Sequence, residues 1–335
     1  MKTKRMGKTG LKVSNICLGT MTFGKQADEA AAIAIMDVAA EHGVNFIDTA
    51  DIYPVPPSLE LAGRTEEIVG KWLKGKRDRY ILATKCGVRT GDKPNDAGLS
   101  RKHILEAVEA SLRRLQTDYI DIYFGHQPDP ETPIDETLRA MDDLVKSGKV
   151  RYLGCSNFTA WQVAKSLWTS DKLMLNRFDV LQPRYNLLYR EIENEIIPLC
   201  REEGVGVVAF NPLAAGFLTG KYQKGAEPPD STRFGLFREP TSLYRERYWK
   251  DCHFHAVEEL KNFFEPRKQL LVHVALAWVL SHEEITSAIV GASRAEQLKE
   301  TLAATHLELD QDALEFCNSI WFSLPRHPDP RYALR

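Results

Sequence analysis

The feature that most constrains this chain is a regular alternation of short apolar segments with amphipathic helical segments. Eight apolar segments recur along the 335 residues, separated by turns and helical stretches of roughly a dozen residues. Such alternation predicts parallel strands joined by crossover helices. Eight units favour a closed (β/α)₈ barrel, or TIM barrel, over an open doubly wound sheet. The predicted strands are residues 16–19, 44–47, 80–84, 119–124, 150–154, 178–181, 206–210 and 286–290.

The two ends of the chain add to this pattern. Residues 5–13 alternate around Gly-Lys-Thr-Gly and predict a small N-terminal β-hairpin. The same letters resemble the end of a P-loop, but the glycine required five residues before Gly7 is missing. A helix from Arg294 and a C-terminal extension follow the last strand. Without a linker or a break in composition, residues 1–335 are predicted to form a single domain.

Two helix starts show the spacing of a capping box, in which the side chains at the two positions bond to each other's backbone. These are Thr159 with Gln162 and Ser293 with Glu296. The second pair predicts a helix N-terminus directly after the last barrel strand.

Charge and composition exclude several functional classes. The net charge of −2 provides no basic field for nucleic acid or a membrane surface. The longest apolar run, residues 270–280, is interrupted by His273 and is too short to span a bilayer. The charged start has no apolar stretch behind it, so no secretory signal is predicted. Six scattered cysteines without a Cys-x-x-Cys pair suit free thiols in a reducing cytoplasm.

Polar side chains collect where three neighbouring predicted strands end. Asp48, Lys85 and His126 each follow a buried apolar segment, and Tyr53 lies in a loop broken by three prolines. Each residue alone has an ordinary explanation: a capping acid, a solvated lysine or a hydrogen-bonded histidine. In an α/β barrel, however, the carboxyl ends of the strands carry the chemistry. Together these residues predict one catalytic site.

The chemistry of such a set follows from the tyrosine. A phenol ionises near pH 10, too high for an efficient proton donor at neutral pH. An ammonium about 4 Å away, at an effective dielectric near 20, stabilises the phenolate by roughly 4 kcal/mol before the desolvation cost is subtracted. Lys85 can supply the charge and Asp48 can support it, while His126 can orient a carbonyl oxygen. The set is therefore predicted to protonate an alkoxide as it forms, beside a hydride source.

No Gly-x-Gly-x-x-Gly follows a strand, so a Rossmann site for the hydride source is not indicated. Residues 290–297 are the better phosphate candidate, because barrels often bind phosphate at a helix N-terminus after the last strand. Arg294 would oppose the helix dipole there unless an anion lay between them; an arginine pointing into water stays an alternative. His253 and His255 would point different ways on a helix, so no metal site is predicted.

These segments resemble those of the aldo-keto reductases, especially the bacterial Tas-like and potassium-channel-β-like branch. The resemblance runs from near the N-terminus to about residue 320. Residues 46–53, 83–85 and 125–126 resemble the catalytic tetrad segments. Residues 154–158 and 181–186 resemble the segments that hold the nicotinamide amide. Residues 210–213 and 216–221 resemble the loop that stacks on nicotinamide and contacts pyrophosphate.

The resemblance implies NADPH or NADP⁺ bound without a Rossmann fold. It makes Tyr53 the general acid, tuned by Lys85 and Asp48, with His126 orienting the carbonyl. Ser156, Asn157 and Gln182 would hold the carboxamide, Phe210 would stack on the ring, and Arg294 with Gln297 would favour NADP over NAD. Thr301 stands where relatives usually have asparagine, which leaves the adenine contacts open. The implied cofactor residues are Gly19, Thr20, Met21, Asp48, Ser156, Asn157, Gln182, Phe210, Asn211, Pro212, Leu213, Gly216, Lys221, Gly291, Ser293, Arg294, Gln297 and Thr301.

The predicted activity is NADPH-dependent reduction of an aldehyde or ketone to the alcohol. Aromatic and polar residues in the predicted loops, among them Arg184 and Gln127, suit a sugar or another polar carbonyl metabolite. Two alternatives stay open: a redox-sensing regulatory subunit with slow turnover, and a Schiff-base lyase that uses Lys85. The sequence does not determine the substrate, the favoured direction or whether the chain forms a homo-oligomer.

Overall fold

Eight parallel strands close into a barrel, as predicted. In the computed structural model, which describes residues 1–239 and 241–326, strands β3 to β9 are neighbours in chain order, and β10 closes the barrel between β9 and β3. The strands are β1 (Thr3–Arg5), β2 (Lys12–Ser14), β3 (Ile16–Gly19), β4 (Phe46–Asp48), β5 (Ile81–Cys86), β6 (Ile120–Gly125), β7 (Val150–Ser156), β8 (Phe178–Gln182), β9 (Gly206–Ala209) and β10 (Ile285–Gly291).

Helices alternate with these strands. They are α1 (Glu29–Glu41), α2 (Arg64–Leu73), α3 (Arg101–Leu115), α4 (Ile134–Lys146), α5 (Ala160–Leu173), α6 (Ile196–Glu203), α7 (Arg233–Leu236), α8 (Leu243–Tyr248), α9 (Asp251–Phe264), α10 (Leu271–Ser281), α11 (Ala295–Leu302) and α12 (Gln311–Ser323). Helix α12 belongs to the predicted C-terminal extension, whose residues 327–335 lie outside the described residues. Within the described part of the chain, no helix has both the length and the apolar character to cross a bilayer.

The predicted N-terminal hairpin is present and lies against the amino end of β9. Strands β1 and β2 pair antiparallel, with Thr3 opposite Ser14. In the turn between them, Gly7 has a φ of +52°, and a Cβ there would lie 2.4 Å from the Gly204 carbonyl oxygen. Met6 is fully buried in the barrel core. The hairpin therefore buries apolar surface at the end of the barrel opposite the strand carboxyl ends.

The described residues divide into two compact units. The first holds the barrel and comprises Met1–Pro183, Ile192–Phe210 and Glu284–Lys299. The second comprises residues 184–191, 211–283 and the described residues from 300 onward. It has its own aromatic core around Phe217, whose ring centre lies 4.8 Å from that of Phe254 and 5.8 Å from that of Phe234. The assignment of residues 1–335 to a single domain stays a prediction.

Candidate active site

Lys85 and Asp48 form a buried ion pair at the carboxyl end of the barrel. Asp48 is the last residue of β4, and Lys85 lies inside β5, whereas the sequence placed it just beyond that strand. The Lys85 Nζ donates to Asp48 Oδ2 at 2.6 Å and to the Thr49 carbonyl oxygen at 2.7 Å. Burial lowers the pKa of Lys85, but the charges of Asp48 and Tyr53 and the hydrogen bond to Asp48 outweigh it and raise that pKa. The buried ammonium therefore keeps its charge.

Tyr53 and His126 lie beside this ion pair. The Lys85 Nζ is 5.1 Å from the centre of the Tyr53 ring. The Tyr53 and His126 rings meet edge to face, with their centres 5.9 Å apart. The His126 amide donates to the Cys86 carbonyl oxygen at 2.8 Å, which places His126 next to the end of β5. All four residues predicted to be catalytic are thus brought together.

The proline-rich loop after Tyr53 is held by the loop that follows β3. The Val55 amide donates to the Met21 carbonyl oxygen at 2.9 Å. Lys25 Nζ reaches the Pro56 carbonyl oxygen at 3.0 Å. These contacts attach the predicted substrate loop to the loop that follows β3.

The predicted carboxamide-binding residues form hydrogen bonds to the proposed catalytic residues and to one another. Gln182 Nε2 donates to Asp48 Oδ1 at 2.8 Å. Ser156 Oγ donates to the Gln182 carbonyl oxygen at 2.9 Å, and Asn157 Nδ2 donates to the His126 carbonyl oxygen at 2.9 Å. Asn157 has a φ of +63°, a left-handed conformation that asparagine tolerates. Hydroxyl and amide groups from the ends of β7 and β8 therefore lie next to the proposed catalytic residues.

The ends of β3 and β10 add residues to the same rim of the barrel. Thr20 Oγ1 donates to the Asp48 carbonyl oxygen at 2.9 Å. Gly19 is in register with Gly291, and a Cβ on Gly19 would lie 2.6 Å from Ile289 Cγ2. The Phe210 amide, at the end of β9, donates to the Pro183 carbonyl oxygen at 2.9 Å.

The predicted capping box at Ser293 has a different partner. The backbone amide and hydroxyl of Ser293 both face Gln297 Oε1, at 3.1 and 3.2 Å. Helix α11 begins at Ala295, so Gln297 is its third residue. The prediction that Glu296 forms the capping box was wrong, because the helix begins one residue later than its spacing assumed. Arg294 is exposed directly before the helix.

The remaining predicted cofactor residues belong to the second unit. Asn211 has a φ of +63°, and its Nδ2 donates to the Tyr248 hydroxyl at 2.9 Å. A Cβ on Gly216 would lie 3.4 Å from Lys221 Nζ. Their binding role stays a prediction, as it does for the other members of this set, Pro212, Leu213 and Thr301.

The two histidines considered as metal ligands have other partners. His253 is buried, and its Nδ1 lies 3.1 Å from the Tyr248 carbonyl oxygen. His255 is exposed and lies 3.5 Å from Glu259. Across residues 1–239 and 241–326, no group of three or more His, Cys, Asp or Glu side chains is arranged to hold a metal ion.

Sequence reasoning assigned no role to a second buried acidic cluster behind β5. Glu66 accepts from Arg114 Nε at 2.7 Å and from Thr84 Oγ1 at 2.6 Å, and Asp51 is buried near them. The position of Asp51 between Asp48 and Tyr53 in the sequence could have indicated that this residue lies near the site. Glu66 and Arg114 gave none, because they lie on separate helices and meet only in the folded chain.

Comparison with known proteins agrees with this arrangement. The model of the Aldo/keto reductase family matches residues 15–321. A probable voltage-gated potassium channel subunit beta of Arabidopsis thaliana is 38% identical over 98% of this chain and 99% of that protein. The uncharacterized oxidoreductase YrpG of Bacillus subtilis strain 168 is 38% identical, covering 96% of each chain. Protein tas of Escherichia coli strain K12 is 37% identical over 94% of this chain and 96% of its own. The chain therefore belongs to the aldo/keto reductase family, as the resemblance of its segments had predicted.

Proposed function

We propose that this protein is an NADPH-dependent carbonyl reductase in which Tyr53 is the general acid. One observation carries the proposal: a fully buried Lys85 ammonium lies 2.6 Å from Asp48 and 5.1 Å from the centre of the Tyr53 ring. A positive charge beside a phenol favours its phenolate form, so the phenol gives up its proton more readily. Asp48 keeps the lysine charged in a site where burial alone would favour the neutral amine.

The proton path in this proposal is short. His126 donates a hydrogen bond to the carbonyl oxygen of the substrate and orients it beside Tyr53. As the carbonyl carbon gains hydride, negative charge develops on that oxygen, and the Tyr53 hydroxyl transfers its proton to it. The resulting phenolate is stabilised by Lys85 until a proton returns. The product is the corresponding alcohol.

The side chains at the barrel rim suit a nicotinamide cofactor. A carboxamide needs both donors and acceptors, and Ser156, Asn157 and Gln182 offer hydroxyl and amide groups next to Asp48 and His126. Reduced nicotinamide, when bound, supplies the hydride. Arg294 is an exposed cation at the start of α11, which suits the additional phosphate of NADPH.

We further propose a small polar aldehyde or ketone as the substrate and a cytoplasmic location. The net charge of −2 favours neither nucleic acid nor an anionic membrane as a partner.

The test of the proposed reductase activity is steady-state cofactor oxidation with a panel of aldehydes, ketones and sugars, using NADPH and NADH in parallel. Turnover that depends on carbonyl and prefers NADPH is expected. Equal rates with both cofactors would contradict the role of Arg294.

A regulatory subunit with slow turnover is the second candidate. It is favoured by the similarity to the Arabidopsis protein named as a probable potassium channel subunit beta. Tight NADPH binding with negligible turnover across the whole panel would support it and contradict the reductase. A substrate adduct on Lys85, trapped with borohydride, would instead indicate a Schiff-base enzyme.

A further inference from the structure

Asp51 lies in the short segment that joins Asp48 to Tyr53. Its backbone amide donates to the carbonyl oxygen of Lys85 at 3.1 Å, so this segment runs alongside β5 beyond the end of β4. The Tyr53 amide then closes a turn by donating to the Ala50 carbonyl oxygen at 3.2 Å. The backbone at Asp51 therefore links the strand that carries Lys85 to the turn that carries Tyr53.

The Asp51 carboxyl group has an unusual environment for an acid. The residue is 2% exposed, and among the described residues neither carboxyl oxygen has a donor in hydrogen-bonding geometry; the Ile52 amide lies close enough only to favour the charged form partly. The nearby cation, Arg114, is already paired, because its Nε donates to Glu66 Oε2 at 2.7 Å. An ionised carboxylate in such a place would carry a large desolvation cost with only partial compensation.

Burial and one neighbouring carboxylate disfavour the charged form of Asp51. Burial raises the pKa of Asp51 well above its ordinary value and the Glu66 carboxylate raises it further, while Arg114, the Ile52 amide and Lys85 oppose the rise without cancelling it. Burial also raises the pKa values of the neighbouring Cys86 thiol and Tyr123 phenol, so both groups are neutral at pH 7. The titratable and charged groups that face Asp51 are Glu66 of α2, Arg114 of α3, Lys85 and Cys86 of β5, and Tyr123 of β6.

We propose that Asp51 is a positioning residue held as a neutral carboxylic acid. The Lys85 ammonium then interacts with Asp48 and with Tyr53 rather than with a further carboxylate. A carboxylate at Asp51 would compete with the Tyr53 phenolate for the ammonium and would repel that phenolate. A neutral acid of the same shape fills the space without doing either. The statement about Tyr53 rests on the proposed function, whereas the protonation of Asp51 does not.

Infrared difference spectroscopy at neutral pH tests the protonation directly. Asp142 provides a matched control, because it is also 2% exposed but accepts hydrogen bonds from the Asn176 amide and side chain, both at 2.8 Å. Asp51→Asn should remove a carbonyl stretching band of a protonated acid. Asp142→Asn should remove carboxylate bands only. If Asp51→Asn removes carboxylate bands instead, the proposal is overturned.

Kinetics test the positioning. Asp51→Ala should lower kcat about tenfold with little change in NADPH affinity, because the Tyr53 segment loses its packing. Asp51→Asn should restore kcat to within about threefold of the parent and keep its pH profile, since it conserves shape and neutrality. A pH profile displaced in Asp51→Asn would show that an ionised Asp51 acts on Tyr53. If no variant, the parent included, reduces any carbonyl, the proposed function fails while the infrared result still decides the state of Asp51.

Discussion

A single hydroxyl group separates tyrosine from phenylalanine, and the proposed proton transfer depends on it. Tyr53→Phe should lower kcat about 10²- to 10⁴-fold, the range that a general acid contributes. NADPH affinity, measured by fluorescence titration, should stay within about threefold because the hydroxyl acts on the substrate oxygen. Tyr152→Phe, on β7 and packed against the barrel core, is the matched control and should retain activity. Near-parental kcat in Tyr53→Phe would refute the assigned acid.

The protonation of the single residue Asp51 also determines how the free energy of unfolding changes with pH. The unfolded carboxyl has its ordinary pKa near 4, whereas the folded one lies well above it. Between these two values the native state binds more protons, so the free energy of unfolding falls as pH rises, by at most about 1.4 kcal/mol per pH unit. Asp51→Asn removes this loss. Its advantage in Tm over the parent should therefore grow as pH rises from about 4, and a constant or shrinking advantage would contradict the expectation.

At the scale of elements, helices α2 and α3 pack closely at one glycine. A Cβ on Gly70 would lie 2.6 Å from the Arg114 carbonyl oxygen and 2.7 Å from the Leu115 carbonyl oxygen. Alanine is ordinarily the better helix former by about 1 kcal/mol. Here the clash with backbone atoms should reverse the sign, and Gly70→Ala should destabilise the protein by about 1–3 kcal/mol in urea unfolding.

Gly10→Ala is the control for this substitution. A Cβ on Gly10 meets no atom within 4 Å, so the change should stay within about 0.5 kcal/mol. If Gly70→Ala is as stable as Gly10→Ala, the two helices do not approach as described.

Capping boxes show how far local spacing determines an element. Thr159 and Gln162 form the predicted box at the start of α5. At α11 the same reasoning chose Glu296, yet Gln297 faces Ser293. Spacing identifies pairs that can bond, but it does not determine the residue at which the backbone leaves a strand and becomes helical. That position depends on how β10 ends within the barrel.

For the whole molecule, cofactor binding should appear as stability. A ligand that binds only the native state raises the free energy of unfolding, by about 2.7 kcal/mol at a hundred times its Kd. NADPH should therefore raise Tm more than NADH at equal concentration. Arg294→Ala should reduce the difference between the two cofactors, whereas Lys299→Ala, an exposed cation on the same helix, should keep it. Equal Tm shifts for both cofactors in the parent would contradict a specific 2′-phosphate contact.

Taken alone, the sequence determined the barrel and the rim on which its polar residues collect. This succeeded because apolar periodicity and crossover connections are local properties, and eight parallel units have few ways to close. Only the tertiary structure decided that Lys85 lies inside β5 without exposed surface, that Glu66 meets Arg114 across 48 residues, and that Asp51 is enclosed near them. Desolvation and ion pairing depend on which groups share an enclosed space. The sequence therefore predicted which residues react, while the fold decided the environment that sets their charges.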